Sequence, residues 1–130
     1  VNEDFQRILK LHNEIVRAIH TDNSLNYQFI SNAAEEIKKR ATRLQSALRL
    51  QKPEPAAEDG RLIRDLEAME TKDGLIVFCA RIESFVRNPL IETPGTVDAQ
   101  QLAKARRDLQ GVVDLSGAIK KAADRRKLVK

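Results

Sequence analysis

Six consecutive apolar residues, Leu75-Ile76-Val77-Phe78-Cys79-Ala80, followed by Ile82, Phe85 and Val86, constrain this chain more than any other stretch. A helix built from them has no polar side through its middle and asks to be covered all round. An apolar run this short could also be a buried strand. Its context decides the matter, because strong helix formers flank it and no second strand-like run exists for it to pair with. The segment therefore reads as the buried middle of a long helix in an all-α protein.

Two helices are predicted before it. Phe5, Ile8, His12, Ile15 and Ile19 step by threes and fours, and Leu9 and Val16 widen the stripe, which gives a first helix over about residues 3–20. Glu3 and Asp4 suit the positive end of its dipole. Thr21-Asp22-Asn23-Ser24 breaks the pattern, with Asn23 or Ser24 as the N-cap of the next helix. That helix, over about residues 25–50, carries the most regular stripe in the chain: Ile30, Ala34, Ile37, Ala41, Leu44 and Leu48. Its two alanines let a neighbouring helix come close. Pro53 and Pro55 end it, since neither can donate to the helical ladder.

The third helix is expected over about residues 57–87. Leu62, Leu66 and Met69 set one stripe, whereas Leu75, Cys79, Ile82 and Val86 set another, so the phase slips near Lys72-Asp73-Gly74. A glycine inside a helix costs about 1 kcal/mol relative to alanine. Gly74 thus signals close approach of another helix, a kink or a break, and the slip turns Asp73 and Glu83 outward. Asn88-Pro89 stops this helix and Pro94-Gly95 makes a turn. The fourth helix, over about residues 97–127, opens with the capping-box spacing of Asp98 and Gln101. Its stripe is Leu102, Ala105, Leu109, Val112, Ser116, Ile119 and Ala123.

The 130 residues fit one domain, and 42% hydrophobic with 32% charged residues, five Gly and no Trp is the profile of a helical bundle. Short links between long helices favour antiparallel neighbours, so the predicted fold is an antiparallel up-down-up-down four-helix bundle. The first helix is shorter than the rest, which leaves an apolar groove or contact surface near Leu48, Leu62 and Ile119. The net charge is +4. By segment, however, its sign alternates along the chain, and with sequence neighbours as spatial neighbours each helix would face helices of opposite sign. A basic surface at Lys120, Lys121, Arg125, Arg126 and Lys127 is left over, suited to lipid head groups or nucleic acid.

Reactive chemistry is hard to find. The Glu-x-x-His pairs of bundle di-iron sites are missing, because Arg17, Lys38 and Val86 follow Glu14, Glu35 and Glu83 at that spacing. His12 and His20 lie about 12 Å apart along one helix, too far to share a metal ion. No Cys-x-x-Cys-His motif, phosphate-binding glycine loop, nucleophile elbow or nucleic-acid module occurs. The expectation is no metal and no cofactor. Cys79, in apolar surroundings, reads as an inert core residue. His12, on the first stripe between Ile8 and Ile15, falls near the level of Ala33, Cys79 and Arg106, and so forms with Cys79 a candidate buried polar pair without a third partner.

These observations favour a non-enzymatic helical bundle acting as an interaction or structural module, able to bind a protein or to self-associate around Phe78 and Phe85. A sensor-type bundle holding a small ligand in its core or open end is the first alternative, and anionic-surface binding through the basic last helix the second. No stretch reaches the roughly 18 to 20 apolar residues of a membrane span. The sequence starts at Val1 rather than Met, which suggests a cleaved leader and a secreted or periplasmic location.

Overall fold

The computed structural model describes residues 2–21, 26–47, 64–66, 71–88 and 99–128. They are helical apart from a few residues at helix ends, with no strand among the described residues, so the fold class is all-α. Four helices carry the structure: α1 (Asn2–Thr21), α2 (Tyr27–Ala47), α3 (Thr71–Val86) and α4 (Ala99–Leu128). A further helical stretch covers residues 64–66. The predicted segments 57–63 and 67–70, the Asp98 cap and the prolines lie outside the described residues.

The stripes form the core. On α2, Ile30, Ala34, Ile37, Ala41 and Leu44 are buried, and Ala33 joins them; Leu48 lies outside the described residues. On α4, Ala105, Leu109, Val112, Ser116, Ile119 and Ala123 are buried as their spacing requires, with Leu115 added and Leu102 only partly covered. On α1 the buried line is Ile8, Leu11, His12, Ile15 and Ile19. Leu11 replaces Leu9 on the inner side, so the face is turned slightly from the expected one.

Helix ends show where side chains set boundaries. Asn26, not Asn23 or Ser24, caps α2: its Oδ1 accepts the Phe29 N–H at 3.1 Å while its carbonyl accepts the Ile30 N–H. Asn88 closes α3 with its N–H on the Phe85 carbonyl, and its Nδ2 donates to the carbonyl of Gln101 in the first turn of α4. This side chain is almost wholly buried. Gly74 marks a close approach rather than a break, since α3 runs through it. A methyl group there would sit 3.2 Å from Leu66 Cγ and 3.4 Å from Ile119 Cδ1.

Among the described residues α1 packs on α2, α2 on α4, α4 on α3 and α3 on α1, while α2 and α3 do not touch. The bonded pairs give each direction. Asp4 meets Arg40 and Arg7 meets Glu36; Ser31 meets Asp124 and Gln45 meets Gln110; Ser84 meets Asp108; His12 meets Glu83. Where two pairs join the same helices, as in α1 with α2, α2 with α4 and, counting Asn88 with Gln101, α3 with α4, one number rises as the other falls. These partners therefore run in opposite directions, and α3 runs against α1. α2 and α3 consequently share a direction, which differs from an up-down-up-down order.

This arrangement corrects the charge argument. The two basic segments, α2 and α4, are packed together rather than kept apart. Local partners make that possible: Asp124 accepts from both Ser31 and Lys120, Gln110 bridges Gln45 and Asp114, and Lys38 Nζ lies over Gly117. The bonds that cross this contact, Ser31 to Asp124 and Gln45 to Gln110, pair no opposite charges, and Lys120 meets its carboxylate within α4.

Candidate interaction surface between α1 and α3

Where α1 lies against α3 the packing is open. Val16, Ile19 and His20 from one helix and Ile76, Cys79, Ala80 and Glu83 from the other line a cleft of about 290 Å³. Its origin is steric. Cys79 and Ala80 are small, so the aliphatic side chains of α1 across from them do not fill the space between the two backbones. Ile76, at the lip, is 50% exposed, whereas Cys79 at the floor is 5% exposed. The apolar run of α3 is therefore not covered all round: its inner residues Leu75, Phe78, Ile82 and Phe85 are core, and Ile76 and Ala80 face out. Phe78 and Phe85, expected to form a self-association surface, are buried, and Ile76 is the large apolar side chain that this helix exposes.

The candidate buried polar pair does not assemble. His12 is buried, with Nδ1 3.1 Å from Asn13 Oδ1, where Nδ1–H donates, and Nε2 3.3 Å from Glu83 Oε1 without hydrogen-bond geometry. Cys79 lies about one turn away, grouped in the cleft with Val16 rather than with His12. Burial, and then the Glu83 carboxylate, push its thiol up to about 12. At neutral pH this keeps the thiol protonated. The sequence pointed to Glu83 as an outward-facing residue, and it is exposed, but its place beside His12 was not legible from spacing.

Of the predicted basic surface, Lys120 is engaged by Asp124 at 2.8 Å, which raises its pKa. Lys121, Arg125 and Arg126 are exposed, and the side chain of Lys127 lies outside the described residues. The open end expected near Leu48, Leu62 and Ile119 is covered where it can be seen: Ile119 is buried and Leu66 packs beside Gly74 close to it. Leu48 and Leu62 lie outside the described residues.

Other polar groups hold helices together. Arg40 donates to Asp4 and Arg7 to Glu36, and each arginine draws its partner's carboxyl below the usual range. Ser84 donates to Asp108, and Lys104 joins both. A second depression of about 370 Å³ lies between Glu14, Arg17, Ala18 and Thr21 of α1 and Asn26 and Phe29 beside them. Among the described residues no group of three or more His, Cys, Asp or Glu side chains is placed to hold a metal ion, and no helix is long and apolar enough to cross a membrane. No family model, curated protein or solved structure matches the chain.

Proposed function

We propose that this chain is a non-enzymatic interaction module, a four-helix bundle in the ring order α1, α2, α4, α3 with antiparallel neighbours, which works through its α1–α3 face. One observation carries the reading: Ile76 is a large aliphatic side chain half exposed at the lip of an apolar cleft. A scattered surface isoleucine needs no explanation, but one continuous with an apolar cleft is what a docking surface offers. The fitting partner is a helix that presents an aliphatic side chain to the cleft and charged residues to Asp73, Glu83 and Arg87 around it.

The test uses an environment-sensitive fluorophore attached at the α1 edge of the cleft, at position 20 in a His20→Cys, Cys79→Ser protein that keeps Ile76. It is titrated with unlabelled protein and with designed amphipathic leucine-rich helical peptides. A saturable blue shift with either supports the reading; an unchanged spectrum with both overturns it. A second reading draws on the exposed Lys121, Arg125 and Arg126, which would meet an anionic lipid or nucleic acid. Binding to anionic vesicles or DNA that weakens steeply with salt would favour it, and no binding at low salt would remove it.

A further inference from the structure

The charges that this fold turns outward are unevenly shared. Among the described residues α2 and α4 expose eight lysines and arginines but a single carboxylate, Glu35, whereas α1 and α3 expose three of each sign. The difference arises because the other carboxylates of α2 and α4 are less exposed and drawn into bonds. Arg7 holds Glu36, Ser84 and Lys104 hold Asp108, Gln110 holds Asp114, and Ser31 and Lys120 hold Asp124. The cations left over stand on one pair of packed helices.

Register brings them into a row. Arg125 lies 18 residues, or five turns, beyond Arg107, so both fall on the same side of α4, and Lys121 is one turn before Arg125. Between Arg107 and Lys121 that side carries Asp114, already bonded by Gln110, and the neutral Ala118. α2 fills this interval. Ser31 opposite Asp124 and Gln45 opposite Gln110 set its register, and Lys38 Nζ lies over Gly117, one turn from Lys121. Lys39 is exposed next to it. From Arg107 to Arg125 the row runs about 27 Å along the helix axis.

We infer that this row on α2 and α4 binds double-stranded DNA along its phosphate backbone, without reading its sequence. A straight row of about 27 Å covers most of one roughly 34 Å turn of a duplex, which carries a charge about every 1.7 Å. Like charges held side by side repel one another in the free protein, and a polyanion removes that repulsion. Bilayers and single strands suit the row less well. Ile76, the large apolar side chain exposed among the described residues, is on α3, so the row offers neither an apolar group to enter a membrane nor an aromatic ring on which an unpaired base stacks. The inference is independent of the α1–α3 face; it rests on the second reading above, extends it from the end of α4 to α2 and commits it to one partner.

Fluorescence anisotropy of a labelled DNA duplex about two helical turns long, titrated with the full chain, tests it. Binding should appear at low salt and weaken steeply, with a slope of log Kd on log salt of about 3 or more, since each engaged phosphate contributes about 0.9. The α2 variant Lys38→Gln, Lys39→Gln and the α4 variant Lys121→Gln, Arg125→Gln should each weaken binding by about tenfold or more and lower the slope by about 2. Lys10→Gln, Lys72→Gln removes the same charge from α1 and α3 and should change the affinity by less than about twofold at ordinary salt. All six positions are exposed, so circular dichroism should stay helical in each variant. A single strand bound more tightly than the duplex, an α2 variant that binds like the wild type, or a control variant as weak as the other two would overturn the inference. If anionic vesicles bind and the duplex does not, DNA is excluded and the lipid branch of the second reading stands. If neither binds at low salt, both fall.

Discussion

The two helix contacts on opposite sides of the molecule, α2 with α4 and α1 with α3, are built from the same elements and end differently. α2 and α4 share the most extended contact, from Ser31 at Asp124 to Gln45 at Gln110. Their stripes alternate large and small residues: Ile30, Ile37 and Leu44 with Ala34 and Ala41 on one, Leu109 and Val112 with Ala105, Ser116 and Ala123 on the other. Such alternation lets layers interdigitate at native density. α1 and α3 instead bring Val16 and Ile19 toward Cys79 and Ala80, and a cleft remains with Ile76 at its edge. The lesson is that small residues close a contact only when large residues from the facing helix enter the space they leave. Where they do not, the same small residues open a surface.

Ways to break this contrast can be ordered by size. Phe78→Ala should cost the most, about 3 to 5 kcal/mol, because Phe78 is the fully buried anchor of α3 and its removal leaves a cavity; urea denaturation reads the loss. A matched pair sharpens the comparison itself. Ala34→Leu, in the closed interior of α2, should destabilise by about 1 to 3 kcal/mol through overpacking, whereas Ala80→Leu, exposed beside the cleft, should stay within about 0.5 kcal/mol. Equal effects would erase the distinction between the two contacts. Ser31→Ala should cost about 1 kcal/mol by removing the bond that ties α2 to Asp124, and Lys120 retains its own contact with that carboxylate.

The smallest effect is pH-dependent. Asp4 and Glu36 have ordinary values of 3.8 and 4.5, and hydrogen bonds from Arg40 and Arg7 lower both in the folded chain. A lowered folded value means the stabilisation is fully present above the ordinary values and is lost as the pH falls through the folded ones. Thermal melts should therefore hold steady above about pH 5 and drop in acid. Asp4→Asn should melt lower than the wild type at neutral pH, with the gap closing as acid removes the same interaction from the wild type. A gap that widens in acid would contradict the assignment.

Much of the fold can be read from spacing. The stripes of α2 and α4 place nearly every core residue of those helices, because a regular alternation of threes and fours defines which side is inward. The run Leu75–Ala80 carries no such information: six apolar residues in a row give no phase. The exposure of Ile76 and Ala80 depends on where α1 stops covering them. Helix pairing was equally hidden. The short links suggested neighbours in chain order, but α4 beside α2 is decided by contacts such as Ser31–Asp124, which span most of the chain. Asn26 and Asn88 illustrate the same limit at short and long range. Asn26 competes with two equally good caps just before it, and Asn88 earns its burial from Gln101, a partner no local pattern announces.

The reactivity of two thiols tests the central contrast most directly. In the wild-type protein Cys79 sits at the floor of the α1–α3 cleft, and three residues away Ile76 stands at its lip. With Ellman's reagent at neutral pH, Cys79 should react only as fast as the protein opens, while the thiol of an Ile76→Cys, Cys79→Ser variant should react at once. If Cys79 reacts as quickly as the thiol at position 76, the floor is not closed by packing, and the account of a sealed core behind an open face is contradicted.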